Sequence, residues 1–270
     1  MEKIDLEGRI AIVTGGSRGL GRAMAQALAE AGGKVVLAAP AVETERLQQA
    51  VREIDAATKP GTAHAIAADI LDPDDCKRLV EATIKRFGGL HVLVNNARRL
   101  HRGPGLPPDG NSLPIQETDP AIWRETIMVN VVGTFQITRA ALPHLMKQKW
   151  GRIINLTTSL GTMQRRHNSP YGVTKAALEA ATLIWAQDLA GSGVTVNSLI
   201  PGGSCDSDPD RPPTQGLLPV TIMNPVVVWL SSPLSDGHTG GRYVGKLWDG
   251  TRPIADAARG ALEPPVLRVP

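Results

Sequence analysis

The stretch that decides the fold is IAIVTGGSRGLG, residues 10–21. Its apolar run at 10–13 predicts a buried strand, and the helical spacing of apolar residues from Leu20 to Ala31 predicts the helix that follows. Glycines in the turn between them permit a sharp reversal and let a pyrophosphate approach the N–H groups that begin the helix. The residues predicted to bind that group are Gly15, Gly16, Ser17, Arg18, Gly19, Leu20 and Gly21.

Strand and helix patterns alternate outward from this stretch along nearly the whole chain. Further strands are predicted at 35–38, 63–67, 90–94, 152–156, 194–199 and 242–247. Helices are predicted at 43–57, 73–87, from about 119 to 149, at 170–190 and at 221–230. This alternation indicates an α/β fold in which one doubly wound, seven-stranded parallel sheet carries helices on both faces. We expect a single domain over residues 1–270.

Composition argues against several classes of protein. The net charge is +3, and basic and acidic residues are mixed along the chain. Nucleic-acid binding requires a clustered basic surface instead. No run approaches 18 apolar residues, so no membrane span is predicted. Two cysteines do not make a secreted disulfide framework, and the N-terminus lacks a signal-peptide pattern. Cysteine and histidine also lack zinc-ligand spacing. We expect a cytoplasmic protein that acts on a small molecule, with no nucleic-acid or membrane partner.

Two segments interrupt the alternation, and each follows the carboxyl end of a strand. Residues 98–114 and 202–220 are rich in proline, glycine and polar residues. Ligands bind at this edge of an open α/β sheet, so both segments are predicted substrate loops. The tail at 250–270 has no periodic pattern and is predicted to be extended.

A set of motifs in a fixed order resembles the short-chain dehydrogenase/reductase family. The motifs are Thr14-Gly15-x-x-x-Gly19-x-Gly21, Asp69-Ile70 after the third strand, Asn95-Asn96-Ala97 after the fourth, Asn130 in the long helix, Tyr171-x-x-x-Lys175 and Pro201-Gly202 after the sixth. The resemblance spans roughly residues 5–250. It implies a Rossmann-type fold with the strand order 3-2-1-4-5-6-7, an NAD(P) cofactor, and a homodimer or homotetramer. It also implies that the cofactor is bound by Asp69, Ile70, Asn96, Ala97, Tyr171, Lys175, Pro201 and Gly202.

The pair Tyr171 and Lys175 is the predicted chemical centre. Residues four apart share one face of a helix. A free tyrosine has a pKa of about 10, and a neighbouring ammonium favours the phenolate. Tyr171 can therefore exchange a proton with a substrate oxygen while a nicotinamide exchanges hydride. The resemblance implies that Lys175 also holds the nicotinamide ribose.

Two further roles follow from the resemblance. A hydroxyl that polarises the substrate oxygen is expected thirteen residues before the tyrosine, at Thr158. Ser159, twelve residues before it, is chemically able as well and remains an alternative. Asn130 is expected to order a water-linked proton path.

The cofactor is predicted to be NADP(H) rather than NAD(H). Ala38-Ala39-Pro40 supplies no acid to bind a ribose 2′-hydroxyl at the end of the second strand. Arg18 resembles a basic residue that contacts the 2′-phosphate, which suits a guanidinium. Glu43 and Glu45 could act against this preference.

Two departures from the family pattern leave a second function open. Arg98 stands where a glycine is expected, and Asp206 occupies the position of a threonine that would hold the nicotinamide amide. Ser207 is the alternative for that position if the loop is one residue longer. The leading hypothesis is an NADP(H)-dependent reductase of a ketone or 3-oxo compound, reversible to an alcohol dehydrogenase. The alternative is a non-catalytic, dinucleotide-binding regulatory protein of the same fold.

Apolar residues nearly all round the helix at 171–189 predict a second subunit or a covering tail against one face.

Overall fold

Eight strands form one sheet in the computed structural model, which describes residues 4–100, 113–207 and 215–266. The strands are β1 Ile10–Thr14, β2 Lys34–Ala39, β3 Ala63–Ala67, β4 Val92–Asn95, β5 Gly151–Leu156, β6 Val194–Ile200, β7 Arg242–Val244 and β8 Leu262–Glu263. Their order is β3-β2-β1-β4-β5-β6-β7-β8. The predicted seven-stranded parallel order is confirmed for β1 to β7.

The eighth strand corrects the prediction of seven. β8 pairs antiparallel with β7, through Arg242 opposite Glu263 and Tyr243 opposite Leu262. Two residues are too few to carry an alternating pattern, so no periodic signal predicts this strand.

Helices cover both faces of the sheet. They are α1 Gly19–Glu30, α2 Thr44–Ala57, α3 Pro73–Phe87, α4 Pro120–Ile127, α5 Thr134–Lys147, α6 Leu160–Met163, α7 Tyr171–Asp188, α8 Asn224–Leu230 and α9 Ile254–Ala261. One buried cluster lies under α1, α2 and α8, with Met24, Leu47 and Trp229 as members. The other lies under α3, α5 and α7. The two clusters are the two apolar faces of the sheet.

Three helix predictions need correction. The predicted long helix is divided, because residues Met128–Gly133 form a π-helical stretch between α4 and α5. Residues 221–223 precede α8, which begins at Asn224. The tail predicted to be extended contains α9, whose buried face consists of Ala257, Ala258 and Ala261. The buried alanines recur at helical spacing, so the sequence carried a periodic signal for this helix that the prediction missed.

Parallel strands bring their carboxyl ends to one edge of the sheet. The order reverses between β1 and β4, the position at which an open α/β sheet has its binding crevice. The glycine-rich turn, the end of β4 and the end of β5 therefore meet at this edge. No helix within residues 4–100, 113–207 and 215–266 is long and apolar enough to cross a membrane.

Candidate active site

The glycine-rich turn presents the start of α1 with its N–H groups open. Arg18, the residue before the helix, makes no side-chain cap, and the first turn holds no acidic residue. Gly19 has φ +56°, a conformation that favours glycine. A Cβ at Gly21 would lie 2.3 Å from the carbonyl oxygen of Gly15, so only glycine fits there. The turn is therefore a cradle suited to a phosphate group.

The end of β4 holds this turn in place. Asn96 donates from Nδ2 to the carbonyls of Thr14 and Gly15, at 2.8 and 3.0 Å. The Thr14 hydroxyl accepts from the backbone N–H groups of Asn96 and Ala97, at 3.1 and 3.0 Å. Asn96 thus acts by shaping the phosphate cradle.

A cleft of about 590 Å³ extends from this turn along the edge of the sheet. Its lining includes predicted cofactor residues Gly15, Ser17, Arg18, Gly19, Leu20, Gly21, Asp69, Ile70, Asn96 and Ala97. Gly16 lies behind it, where its N–H donates to the carbonyl of Ala38 at 3.1 Å. Pro201 and Gly202 follow β6 outside the lining, and the Pro201 carbonyl accepts from Lys246 N–H at 3.0 Å.

Charged side chains flank one end of the cleft beside the end of β2. Glu43 lies 3.8 Å from the guanidinium of Arg18 and 3.8 Å from that of Arg46. The neighbouring segment, residues 38–40, lines the cleft without an acid. Asp69 stands across from it, and its Oδ1 accepts from the N–H of Leu71 at 2.9 Å. Arg18, Glu43 and Asp69 line the cleft, so this end presents one guanidinium group and two carboxylates, with Arg46 beside Glu43.

Tyr171 and Lys175 lie on the first turns of α7. Lys175 is 2% exposed, and its Nζ lies 5.7 Å from the centre of the Tyr171 ring. Nζ donates to the carbonyl of Leu156 at 2.7 Å. The pKa of Lys175 is lowered to about 7, chiefly by burial and also by Arg98, while Glu179 acts in the opposite direction. The ammonium is thus held at the end of β5 and is poised to lose its charge near neutrality.

The two candidate hydroxyls have different surroundings. Ser159 caps α6, because its Oγ accepts from Thr162 N–H at 3.2 Å and lies 2.8 Å from the Thr162 hydroxyl. The Thr158 hydroxyl makes no hydrogen bond to any of the described residues. The geometry therefore favours Thr158 over Ser159 for contact with a substrate oxygen.

Asn130 lies in the π-helical stretch and is fully buried. Its Oδ1 accepts from Arg99 N–H at 2.6 Å, and its Nδ2 donates to the Arg99 carbonyl at 3.3 Å and to Thr174 at 3.1 Å. These contacts tie the segment after β4 to α7. The expected role in a water-linked proton path stays a prediction.

Sequence reasoning missed three charged residues near the site, Arg46, Glu179 and Arg242. Glu179 is buried and follows Lys175 by one helical turn. An acidic residue inside an apolar helix indicates a buried partner, so this signal was present in the sequence. Arg242, at the start of a weak strand, carried no comparable signal.

Comparison with known proteins identifies the family. The family model described as short chain dehydrogenase matches residues 9–210. The 3-oxoacyl-(acyl-carrier-protein) reductase FabG of Thermotoga maritima is 31% identical over 197 residues, which are 73% of this chain and 74% of that protein.

Two solved structures share the fold closely. A short-chain dehydrogenase from Shigella flexneri, complexed with NADP, has a TM-score of 0.79 at 26% identity and covers 91% of this chain and 100% of its own. A 3-ketoacyl-(acyl-carrier-protein) reductase from Brucella melitensis, complexed with NADH, has a TM-score of 0.77 at 27% identity, covering 89% and 97%.

The chain belongs to the short-chain dehydrogenase/reductase family. It is an NAD(P)-dependent oxidoreductase of the class that acts on CH–OH groups. The fold, the glycine-rich cradle and the cleft along the strand ends agree with that class.

Proposed function

We propose that this protein is an NADP(H)-dependent reductase of a ketone or 3-oxo compound, reversible to a secondary-alcohol dehydrogenase. The observation that carries the proposal is the buried Lys175 ammonium beneath the Tyr171 ring, held by the carbonyl of Leu156 two residues before Thr158. A cation beside a phenol favours the phenolate, which is what an acid/base tyrosine requires. Both groups stand at the edge of the sheet that carries the cofactor cleft.

Tyr171, Lys175 and Thr158 each have a separate role in the reaction. In reduction, Tyr171 donates its phenolic proton to the carbonyl oxygen, and Lys175 stabilises the phenolate that results. Thr158 donates a hydrogen bond to the same oxygen and fixes its position. When bound, the nicotinamide supplies the hydride. In the reverse direction, the phenolate accepts the proton of the alcohol.

A preference for NADP(H) is supported by charge at one end of the cleft. Arg18 lines the cleft and Arg46 lies beside it next to Glu43, and a guanidinium suits a phosphate through its fork of donors. The end of β2 has no acid for a 2′-hydroxyl. The Glu43 carboxylate lies between the two arginines and would repel a 2′-phosphate. To bind that phosphate, the guanidinium groups would have to move away from Glu43. The related structures hold NADP in one case and NADH in the other.

The predicted partners are a small carbonyl substrate and further copies of this chain, in a cytoplasmic setting. Support for self-association comes from an exposed apolar face on α5 and α7, where Phe135 is 50%, Val173 46% and Ile184 54% exposed. Within the described residues, α9 and β8 pack on β7 and the segment after it.

One experiment tests the function directly. The purified protein is titrated with NADPH and with NADH by nicotinamide fluorescence, and a panel of ketones, including 3-oxoacyl thioesters, is then followed by absorbance of the reduced cofactor. We expect tighter binding of NADPH and turnover of at least one ketone. Tyr171→Phe should reduce kcat by about 10²–10⁴-fold with little change in NADPH binding.

Other outcomes discriminate between the hypotheses. Cofactor binding without turnover across the panel would favour the regulatory protein. Full turnover by Tyr171→Phe would exclude the proposed mechanism. Failure to bind either cofactor would contradict the central claim and implicate Arg98 or residues 202–207.

A further inference from the structure

Arg242, at the start of β7, joins four elements behind the active site. It is 3% exposed, and its Nε donates to Glu179 in α7 at 3.2 Å. Its Nη1 donates to Glu263 in β8, and its Nη2 donates to the carbonyl of Thr158 at 3.0 Å. A buried charge persists when it is paired and hydrogen-bonded. Arg242 therefore fixes the end of β5 relative to α7, β7 and β8.

The same segment of β5 is held from α7. Glu179 accepts from the Thr157 hydroxyl at 2.5 Å and from the Ser198 hydroxyl at 3.2 Å. Lys175 donates to the carbonyl of Leu156 at 2.7 Å. Leu156, Thr157 and the Thr158 carbonyl are thus held in succession, while the Thr158 hydroxyl stays available to a substrate.

The charges of this cluster balance. Lys175 and Arg242 are cations, and Glu179 and Glu263 are their acidic counterparts. Glu179 acts on both cations, because it pairs with Arg242 and raises the pKa of Lys175 against the effect of burial. An unpaired charge in such a buried cluster is strongly unfavourable, so the members depend on one another.

We propose that Arg242 is a positioning residue of the reaction, which holds the Thr158 main chain so that the Thr158 hydroxyl meets the substrate oxygen, with Glu263 of the C-terminal strand as its anchor. This inference rests on the proposed function. Residues 242 and 263 lie beyond residues 9–210, where the family model matches. The C-terminal strand therefore contributes to catalysis rather than only closing the sheet.

The test compares Arg242→Met with a matched control, Arg152→Met. Arg152 is equally buried and pairs with Asp236, but it lies at the other end of β5. We expect Arg242→Met to lower kcat at least tenfold while KM and the Kd for NADPH stay within twofold. Arg152→Met should lower Tm but leave kcat within twofold. Arg242→Lys keeps the charge without the fork of donors, and should recover only part of kcat.

A readout without substrate separates this inference from the proposed function. Hydrogen exchange of the amides at 157–159 should be faster in Arg242→Met and unchanged in Arg152→Met. Should Arg242→Met fail to fold, Glu263→Ala removes the partner of Arg242 Nη1 at the half-exposed edge and should still lower kcat several-fold. Equal kcat losses in both arginine variants, or unchanged exchange at 157–159, would overturn the positioning role. A wild-type protein that reduces no ketone would instead overturn the proposed function, and the exchange data would still decide the anchoring.

Discussion

At the residue scale, the site depends on which polar groups are already committed within the protein. Ser159 is committed to capping α6, and Asn130 to the backbone of Arg99. The Thr158 hydroxyl has no such partner among the described residues. Chemical ability alone could not distinguish Thr158 from Ser159, because both carry a donor and lone pairs. The local structure makes the distinction.

The two hydroxyls should respond differently to removal. Thr158→Val keeps the shape and removes the hydroxyl, so kcat should fall by one to two orders of magnitude with Tm little changed. Ser159→Ala removes a helix cap, which costs about 1 kcal/mol, and should lower Tm with kcat within threefold. Steady-state kinetics and thermal melts of both variants check this. The reverse pattern would assign the assisting role to Ser159.

The pH dependence should follow the charge of Lys175. Burial lowers the pKa of Lys175 to about 7, so the ammonium is present below that pH and is lost above it. The kcat/KM for reduction, which reports the free enzyme, should therefore fall as pH rises through about 7. Arg98→Met removes a charge that lowers this pKa, so the falling limb should move to higher pH. Glu179→Gln should move the limb to lower pH, because Glu179 raises the same pKa.

Both shifts are measured in profiles between pH 5 and 9, with buffers of constant ionic strength. Arg165→Met serves as the control, because Arg165 is not among the groups that shift the pKa of Lys175. If the falling limb of kcat/KM lies at the same pH in wild type, Arg98→Met and Glu179→Gln, then Lys175 does not govern the pH profile.

At the element scale, the glycine-rich turn depends on close contact between β1 and α1. Its shape is fixed by the Asn96 amide and the absence of a Cβ at Gly21. This turn carries the start of α1, whose open N–H groups attract a phosphate. Cofactor binding is therefore a property of the strand–turn–helix unit rather than of one side chain.

Gly21→Ala should weaken NADPH binding at least tenfold and lower Tm. Its Cβ would lie 2.3 Å from the Gly15 carbonyl, so the turn must shift. Gly250→Ala is the matched control, since a Cβ there meets nothing within 4 Å. Fluorescence titration with NADPH measures both variants. Equal affinities in the two would show that the phosphate is bound elsewhere.

At the scale of the whole molecule, α5 and α7 leave an apolar face uncovered. Val173 and Ile184 lie three helical turns apart and so share one side of α7, and Phe135 is exposed on α5. Exposed apolar faces of this kind mark interaction sites. The face supports the proposed homodimer or homotetramer.

Ile184→Arg should shift the mass measured by light scattering after size exclusion from an oligomer towards the 28.7 kDa monomer. A buried cation in the interface would lack a partner, which is costly. Leu234→Arg, at a position 50% exposed in a turn, should leave the mass unchanged. A monomeric wild-type protein would contradict the predicted assembly.

The sequence by itself determined the parallel sheet, the glycine-rich turn and the Tyr171–Lys175 pair. These features rest on short-range patterns: apolar periodicity, glycines at fixed spacing, and two residues one helical turn apart. Such patterns are visible wherever the interacting residues are close in the chain.

Only the tertiary structure decided the rest. Arg242 contacts Glu263 of β8, which is 21 positions away in the chain. It also contacts Thr158, which is 84 positions away. The same holds for the lowered pKa of Lys175, which arises from burial and from Arg98. A charge acquires a partner and a desolvation cost only when distant segments pack around it, so these features have no local signature in the sequence.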